Sequence, residues 1–121
     1  MSTDESADTK NNGPTPRETA ATVREQIQDR LGDVVEAVYL FGSVARGDET
    51  MASDVDLLVV IDDTAEFASV DDQLLDIAYE VSLEHGRRVE IHPLRNETFT
   101  TRKERGEPFV NTVMTEGERS E

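Results

Sequence analysis

The feature that most constrains this chain is a pair of apolar segments joined by a glycine turn and a short acidic loop. Residues 34–41 are mainly apolar and end at Gly42-Ser43, and residues 57–61 are apolar and rich in β-branched side chains. Segments of this length are too short for ordinary helices and are typical of buried strands. Glycine permits the sharp turn between them. The sequence therefore predicts a strand, a tight turn and a second strand at the centre of the fold.

Two carboxylates stand just before the second apolar segment, where a buried strand has no packing use for charge. Asp54 and Asp56 are separated by one residue. Strand side chains two apart lie on the same face, so we expect these carboxylates side by side, sharing a divalent cation. Backbone amides at Gly42-Ser43, or at the helix start behind them, can hold phosphate oxygens. The pattern predicts phosphates on one side of a site and metal on the other.

A third strand is predicted over residues 88–94, and it carries a further acid. Alternation places Glu90 on the same face as Arg88 and His92, away from the apolar side chains of this segment. Glu90 is either a third carboxylate of the site or a plain exposed acid of the strand. A lone histidine in a strand is more often a packing or hydrogen-bonding residue, so His92 is not counted among the catalytic residues.

Helices are predicted on both sides of these strands. A capping box at Thr15-Pro16-Arg17-Glu18 begins the first helix, which stops near Gly32, and Ser69 is the predicted cap of a helix that ends at Gly86. Asn96 is the predicted cap of a third helix, and Pro108 begins a fourth. The apolar residues of the fourth helix are read as core or as a face that docks a partner; they are Phe109, Val110, Val113 and Met114.

The 121 residues suffice for one domain with a single core. We predict a disordered, polar tail over residues 1–14, the domain over residues 15–116 and a frayed tail over residues 117–121. No segment has the length of a membrane span or the apolar core of a signal peptide, and the chain has no cysteine. We therefore expect a soluble, cytoplasmic α/β (α+β) protein with a small mixed sheet flanked by helices.

Charge gives a second constraint. The chain has 27 acidic and 12 basic residues, a net charge of −15, and only Lys10 and Lys103 among the basic residues are lysine. No basic cluster exists, since Arg87-Arg88 is only a pair, so we predict no direct nucleic-acid surface. An acidic, lysine-poor surface suggests a halophile, because molar salt screens self-repulsion. An ordinary acidic mesophilic protein is the alternative.

The Gly-Ser turn, the ten residues after it and the Asp-x-Asp pair closely resemble the signature of the DNA polymerase β-like nucleotidyltransferase superfamily. The resemblance is greatest to its minimal nucleotidyltransferase (MNT) branch. Ala45-Arg46-Gly47 and Ser53 strengthen the resemblance, which spans residues 34–94. It implies the core fold of that superfamily and a Mg²⁺-dependent transfer of a nucleoside monophosphate, expected to be AMP from ATP.

The resemblance also implies roles for individual residues. Asp54 and Asp56 would bind two Mg²⁺ ions, and Glu90 would complete the metal nearer the acceptor hydroxyl. Gly42 and Ser43 would hold the β- and γ-phosphates of the nucleotide. Arg46 is read either as a residue that neutralises phosphate charge or as an ordinary surface arginine.

Minimal members of this superfamily commonly pair with a separate all-helical protein, often of the HEPN type, as antitoxin and toxin. The resemblance therefore implies that this chain is an antitoxin that modifies a hydroxyl of such a partner, with tyrosine expected. One alternative is a non-catalytic binding module that neutralises a partner. Another is an enzyme that modifies a small hydroxylated molecule such as an aminoglycoside, for which little chain remains to build a pocket.

Overall fold

The computed structural model describes residues 13–120, without the side chain of the last of these. Most of the predicted disordered tail, residues 1–12, lies outside the described residues. Within residues 13–120, nine elements follow one another: α1 (Pro16–Leu31), β1 (Val35–Phe41), α2 (Ser43–Arg46), β2 (Val55–Ile61), α3 (Phe67–His85), β3 (Val89–Arg95), α4 (Asn96–Glu104), α5 (Pro108–Glu116) and β4 (Glu118–Ser120).

The strands form one mixed sheet in the order β3-β2-β1-β4. β1 is antiparallel to both β2 and β4, and β2 is parallel to β3. A parallel pair needs a crossover, and α3 supplies it between β2 and β3. The predicted small mixed sheet flanked by helices is confirmed.

β2 lies at the centre of the core, with six of its seven residues buried. On one face of the sheet, Leu57, Val59 and Ile61 pack against the apolar sides of α1 and α3. On the other face, Leu58 and Val60 pack with apolar residues of α4 and α5. The strand therefore has helices on both sides, which explains why its sequence is a continuous apolar run.

The first helix begins as predicted. The Thr15 hydroxyl accepts a hydrogen bond from the Glu18 amide at 3.1 Å, and the Glu18 carboxylate accepts one from the Thr15 amide at 2.7 Å. The predicted stop at Gly86 is also confirmed, since this residue has φ +66° and its amide donates to the carbonyl of Ser82.

Two predicted caps are wrong. α3 begins two residues before Ser69, because the carboxylate of Glu66 accepts a hydrogen bond from the Ser69 amide at 3.0 Å and caps the helix itself. Asn96 is the first residue of α4 and makes no cap. The Asp63 carboxylate, which lies in the loop after β2, accepts a hydrogen bond from the Glu97 amide at 2.9 Å.

The C-terminal residues differ from the predicted frayed tail. Glu118–Ser120 forms an edge strand on β1. Arg17 of α1 holds it, because its guanidinium donates to both carboxylate oxygens of Glu118, at 3.0 and 2.9 Å. The same hydrogen bonds lower the pKa of Glu118 and raise the pKa of Arg17.

The apolar residues of α5 belong to the core. Val110 and Val113 are fully buried, and Phe109 and Met114 pack partly buried against the same cluster. Of the two predicted roles, core or docking face, the structure therefore supports the core, and no free apolar face remains on α5. Within residues 13–120, no helix is both long and apolar enough to cross a membrane.

Candidate functional site

The site forms where β2 and β3 run side by side near their first residues. Asp56 and Glu90 are register partners in this parallel pair, and both are half-buried. One oxygen of each carboxylate and one ring nitrogen of His92 lie within 4.8 Å of one another. The structure thus brings together two of the three predicted carboxylates and adds a histidine.

Sequence reasoning left out His92. Its Nε2 lies 4.0 Å from a Glu90 carboxylate oxygen, on the face that alternation along β3 predicted. Its ring also packs against Phe41 and Phe109, with centroids 5.5 and 5.6 Å away. The packing role expected of a strand histidine is therefore present, together with a place in the carboxylate cluster. The Glu-x-His spacing was the signal that could have identified it.

Asp54 does not lie on β2, because the strand begins at the next residue, Val55. The expectation that Asp54 and Asp56 share a strand face is wrong in this respect, and Asp54 is not among the three groups that lie within 4.8 Å. Its charge nevertheless acts on Asp56. The loop brings Asp54 to the edge of the cluster.

The pKa of Asp56 is raised above its ordinary value. Partial burial is the largest cause, the negative charge of Glu90 is the second, and Asp54 adds to them, while His92 acts in the opposite direction. Carboxylates that lie close together in a partly buried site repel one another, and a bound cation would neutralise that repulsion. Their oxygen donors fit Mg²⁺, and the His92 nitrogen would also suit a transition metal.

Gly42 brings the turn after β1 directly against this cluster. Its φ is +81°, in the region that side chains rarely adopt, and a Cβ atom added there would lie 2.9 Å from Oδ2 of Asp56. The positive φ favours glycine, and any side chain here would have to displace the Asp56 carboxylate. The Gly-Ser turn and the Asp56 carboxylate therefore lie side by side.

The helical turn α2 starts at Ser43, immediately behind Gly42, and no side chain caps its start. Amides in the first turn of a helix lack intrahelical partners, so they are free to hold an anion. Arg46, at the other end of α2, lies 3.3 Å from Asp48 and 3.5 Å from Glu116. Its predicted contact with phosphate would require it to exchange these carboxylates for the nucleotide.

Arg87, which the sequence did not distinguish from Arg88, is buried and holds the loop in front of Asp54. Its Nη1 donates to the carbonyl oxygens of Met51 and Ser53, at 2.9 and 3.1 Å. Other hydrogen bonds join it to Pro14 and to the buried hydroxyl of Thr19, at 2.6 and 3.1 Å. Arg87 thus fastens the Asp54 loop to the first helix.

Most of the residues described above lie within the part of the chain that matches a known protein family. The model of the family described as "Nucleotidyltransferase domain" matches residues 20–114, from α1 to α5. No curated protein matches the chain significantly.

Two solved structures share the fold. One is the crystal structure of a toxin-antitoxin with AMP-PNP, at a TM-score of 0.56 and 21% identity, over 82% of this chain and 69% of that chain. The other is a mutant of the toxin-antitoxin MntA-HpeT, at a TM-score of 0.54 and 20% identity, over 84% of this chain and 71% of that one.

The family match extends over most of the chain and includes the glycine turn, both aspartates and Glu90. The superfamily resemblance seen in the sequence is thereby confirmed. This chain belongs to the nucleotidyltransferase domain family.

Proposed function

We propose that this chain transfers a nucleoside monophosphate, AMP from ATP, to a hydroxyl of a partner protein in a Mg²⁺-dependent reaction. The observation that carries the proposal is the close approach of Gly42 to Asp56. A nucleotidyltransferase must hold triphosphate and cation next to each other. A glycine turn against a carboxylate cluster meets this need.

Asp54, Asp56 and Glu90 would hold the metal in this proposal. Mg²⁺, when bound, neutralises charge on the attacking and leaving oxygens. The backbone at Gly42 and Ser43 would hold the β- and γ-phosphates, and Glu90 would lie on the acceptor side. The acceptor oxygen bonds to the α-phosphorus, the bond from that phosphorus to pyrophosphate breaks, and the hydroxyl proton passes to solvent. The residues position reactants and balance charge, which a small domain can do.

The partner we propose is a helical HEPN-type toxin, which this chain silences as its antitoxin in the cytoplasm. Support comes from the two solved structures of the same fold, both toxin-antitoxin structures and one of them with AMP-PNP. Adding a nucleotide to a tyrosine of the partner would introduce charge and bulk at that hydroxyl. The acidic excess of the chain supports a cytosol of high salt.

The test is to coexpress this chain with the product of the adjacent gene, which we expect to be the helical partner, and to measure the intact mass of that partner. We expect a gain of one or more AMP units with the wild type. Asp56→Asn should lower transfer by about 10³-fold or more, because the loss of a metal-binding charge removes several kcal/mol of transition-state stabilisation. Asp29→Asn, an exposed acid on α1, is the matched control and should transfer normally.

An active Asp56→Asn variant would refute the metal assignment. A partner that remains unmodified but is still neutralised would favour the binding-module alternative.

A further inference from the structure

The outer face of α3 carries a line of exposed apolar side chains. Leu75, Tyr79 and Leu83 are 59%, 67% and 66% exposed, and their four-residue spacing places them on one side of the helix. Among the described residues, Met51 is the only other exposed large apolar side chain, and it is 41% exposed. We call these three residues of α3 the apolar stripe.

The apolar stripe contributes nothing to the core. The opposite side of α3 already supplies the buried residues that hold the helix to the sheet, namely Val70, Leu74, Ile77, Ala78 and Val81. Single exposed apolar residues are common on protein surfaces, whereas a continuous line of them marks a surface that contacts another molecule.

The charges around the apolar stripe indicate what that molecule is. α3 contains no lysine or arginine, and its five acids are Asp71, Asp72, Asp76, Glu80 and Glu84. Glu80 pairs with Arg30 of α1 at 2.9 Å, which leaves the other four acids to set the charge of this face. In dilute buffer, a second copy of this chain would bring the same acids against them, and like charges at an interface oppose association. A partner surface in which apolar side chains are bordered by lysine and arginine would complement both the apolar stripe and the acids of α3.

We propose that the apolar stripe and the acids beside it form the docking surface for a protein partner with an apolar patch bordered by basic residues. α3 packs on the sheet face that contains Leu57 and Val59, whereas Asp56 points to the other face. A partner held there therefore leaves the carboxylate cluster open to nucleotide. Our choice of probe, the toxin-like helical partner, rests on the proposed function.

The experiment measures the affinity of the purified helical partner for this chain by calorimetry. Replacing the stripe with glutamine (Leu75→Gln, Tyr79→Gln and Leu83→Gln together) should weaken binding by about 30-fold or more, because exposed aromatic and aliphatic anchors dominate interface energies. The three side chains are exposed, so circular dichroism and Mg²⁺-dependent ATP binding should match the wild type.

A second pair of variants tests the charges. Asp72→Asn with Asp76→Asn should weaken binding by about 5-fold in dilute buffer, and less in high salt, because screening reduces attraction to a basic partner. Glu25→Gln with Asp29→Asn removes the same charge from the exposed side of α1 and should leave the affinity unchanged.

Equal affinity of the wild type and the glutamine variant would overturn the docking surface and leave the transfer reaction to be judged by Asp56→Asn. Failure of the partner to bind the wild type would also overturn it, as would a wild-type dimer that the glutamine substitutions dissociate. Loss of binding in the glutamine variant, with no transfer by the wild type, would retain the surface and refute the proposed function.

Discussion

The two faces of the central sheet have opposite characters near the start of β2. On the face covered by α1 and α3, Val55, Leu57, Val59 and Ile61 are all fully buried. On the other face, Leu58 and Val60 are covered, but Asp56 is only half-buried. The comparison shows that the site lies where one face of an otherwise closed core remains uncovered. A domain of this size can hold charge there without disrupting its apolar interior.

The face covered by α1 and α3 nevertheless supports the candidate site on the opposite face. Thr19 and Arg87 are the buried polar residues among the described part of the chain, and they hydrogen-bond to each other beside α1. From that position Arg87 reaches the backbone that leads into Asp54. A buried arginine on the covered side of the sheet thereby positions a loop of the exposed site.

The largest effect on stability should come from breaking this link. Arg87→Met would leave the carbonyl oxygens of Met51 and Ser53 without their donor, so we expect the free energy of unfolding to fall by about 3 kcal/mol. Arg88→Met is the matched control, because Arg88 is exposed, and it should change stability by less than about 0.5 kcal/mol. Urea denaturation measures both values, and an equal loss in the two variants would contradict the role of Arg87.

A smaller change should follow from a methyl group at the turn. Gly42→Ala places a side chain at a positive φ and against Asp56, so we expect a loss of about 1–2 kcal/mol in stability, and impaired ATP binding. Gly47→Ala is a useful control, since it shares the positive φ but its added Cβ would meet no atom within 4 Å. Equal ATP affinities in the two variants would show that the contact with Asp56 is unimportant.

The smallest effect concerns pH. Because the pKa of Asp56 is raised above 3.8, the folded state holds its proton more tightly than the unfolded state. The metal-free protein should therefore lose stability as the pH rises through the interval between 3.8 and the raised pKa. Asp56→Asn has no proton to lose there, so its Tm should rise relative to the wild type across this interval. Thermal scans without divalent cations measure the difference, and a constant difference would contradict the raised pKa.

Much of the site could be predicted because its residues follow local rules. The apolar run of β2 indicated a buried strand, and alternation along β3 placed Glu90 on the face of His92. The first residue of β2 was harder to predict from the sequence. It is marked by one hydrogen bond, from the Val55 amide to the carbonyl of Arg88, and these two residues are far apart in the chain. Asp54 consequently lies in a loop, although its spacing from Asp56 suits a strand.

Local sequence was enough to predict the central strands, the glycine turn and the closeness of that turn to Asp56, because burial pattern and backbone freedom depend on neighbouring residues. Contacts between distant groups could be read only from the folded chain. It paired Glu118 with Arg17, gave the start of α4 the carboxylate of Asp63 and buried Arg87 while exposing Arg88. These choices depend on strand pairing and on the packing of helices against the sheet, which bring together residues far apart in the chain.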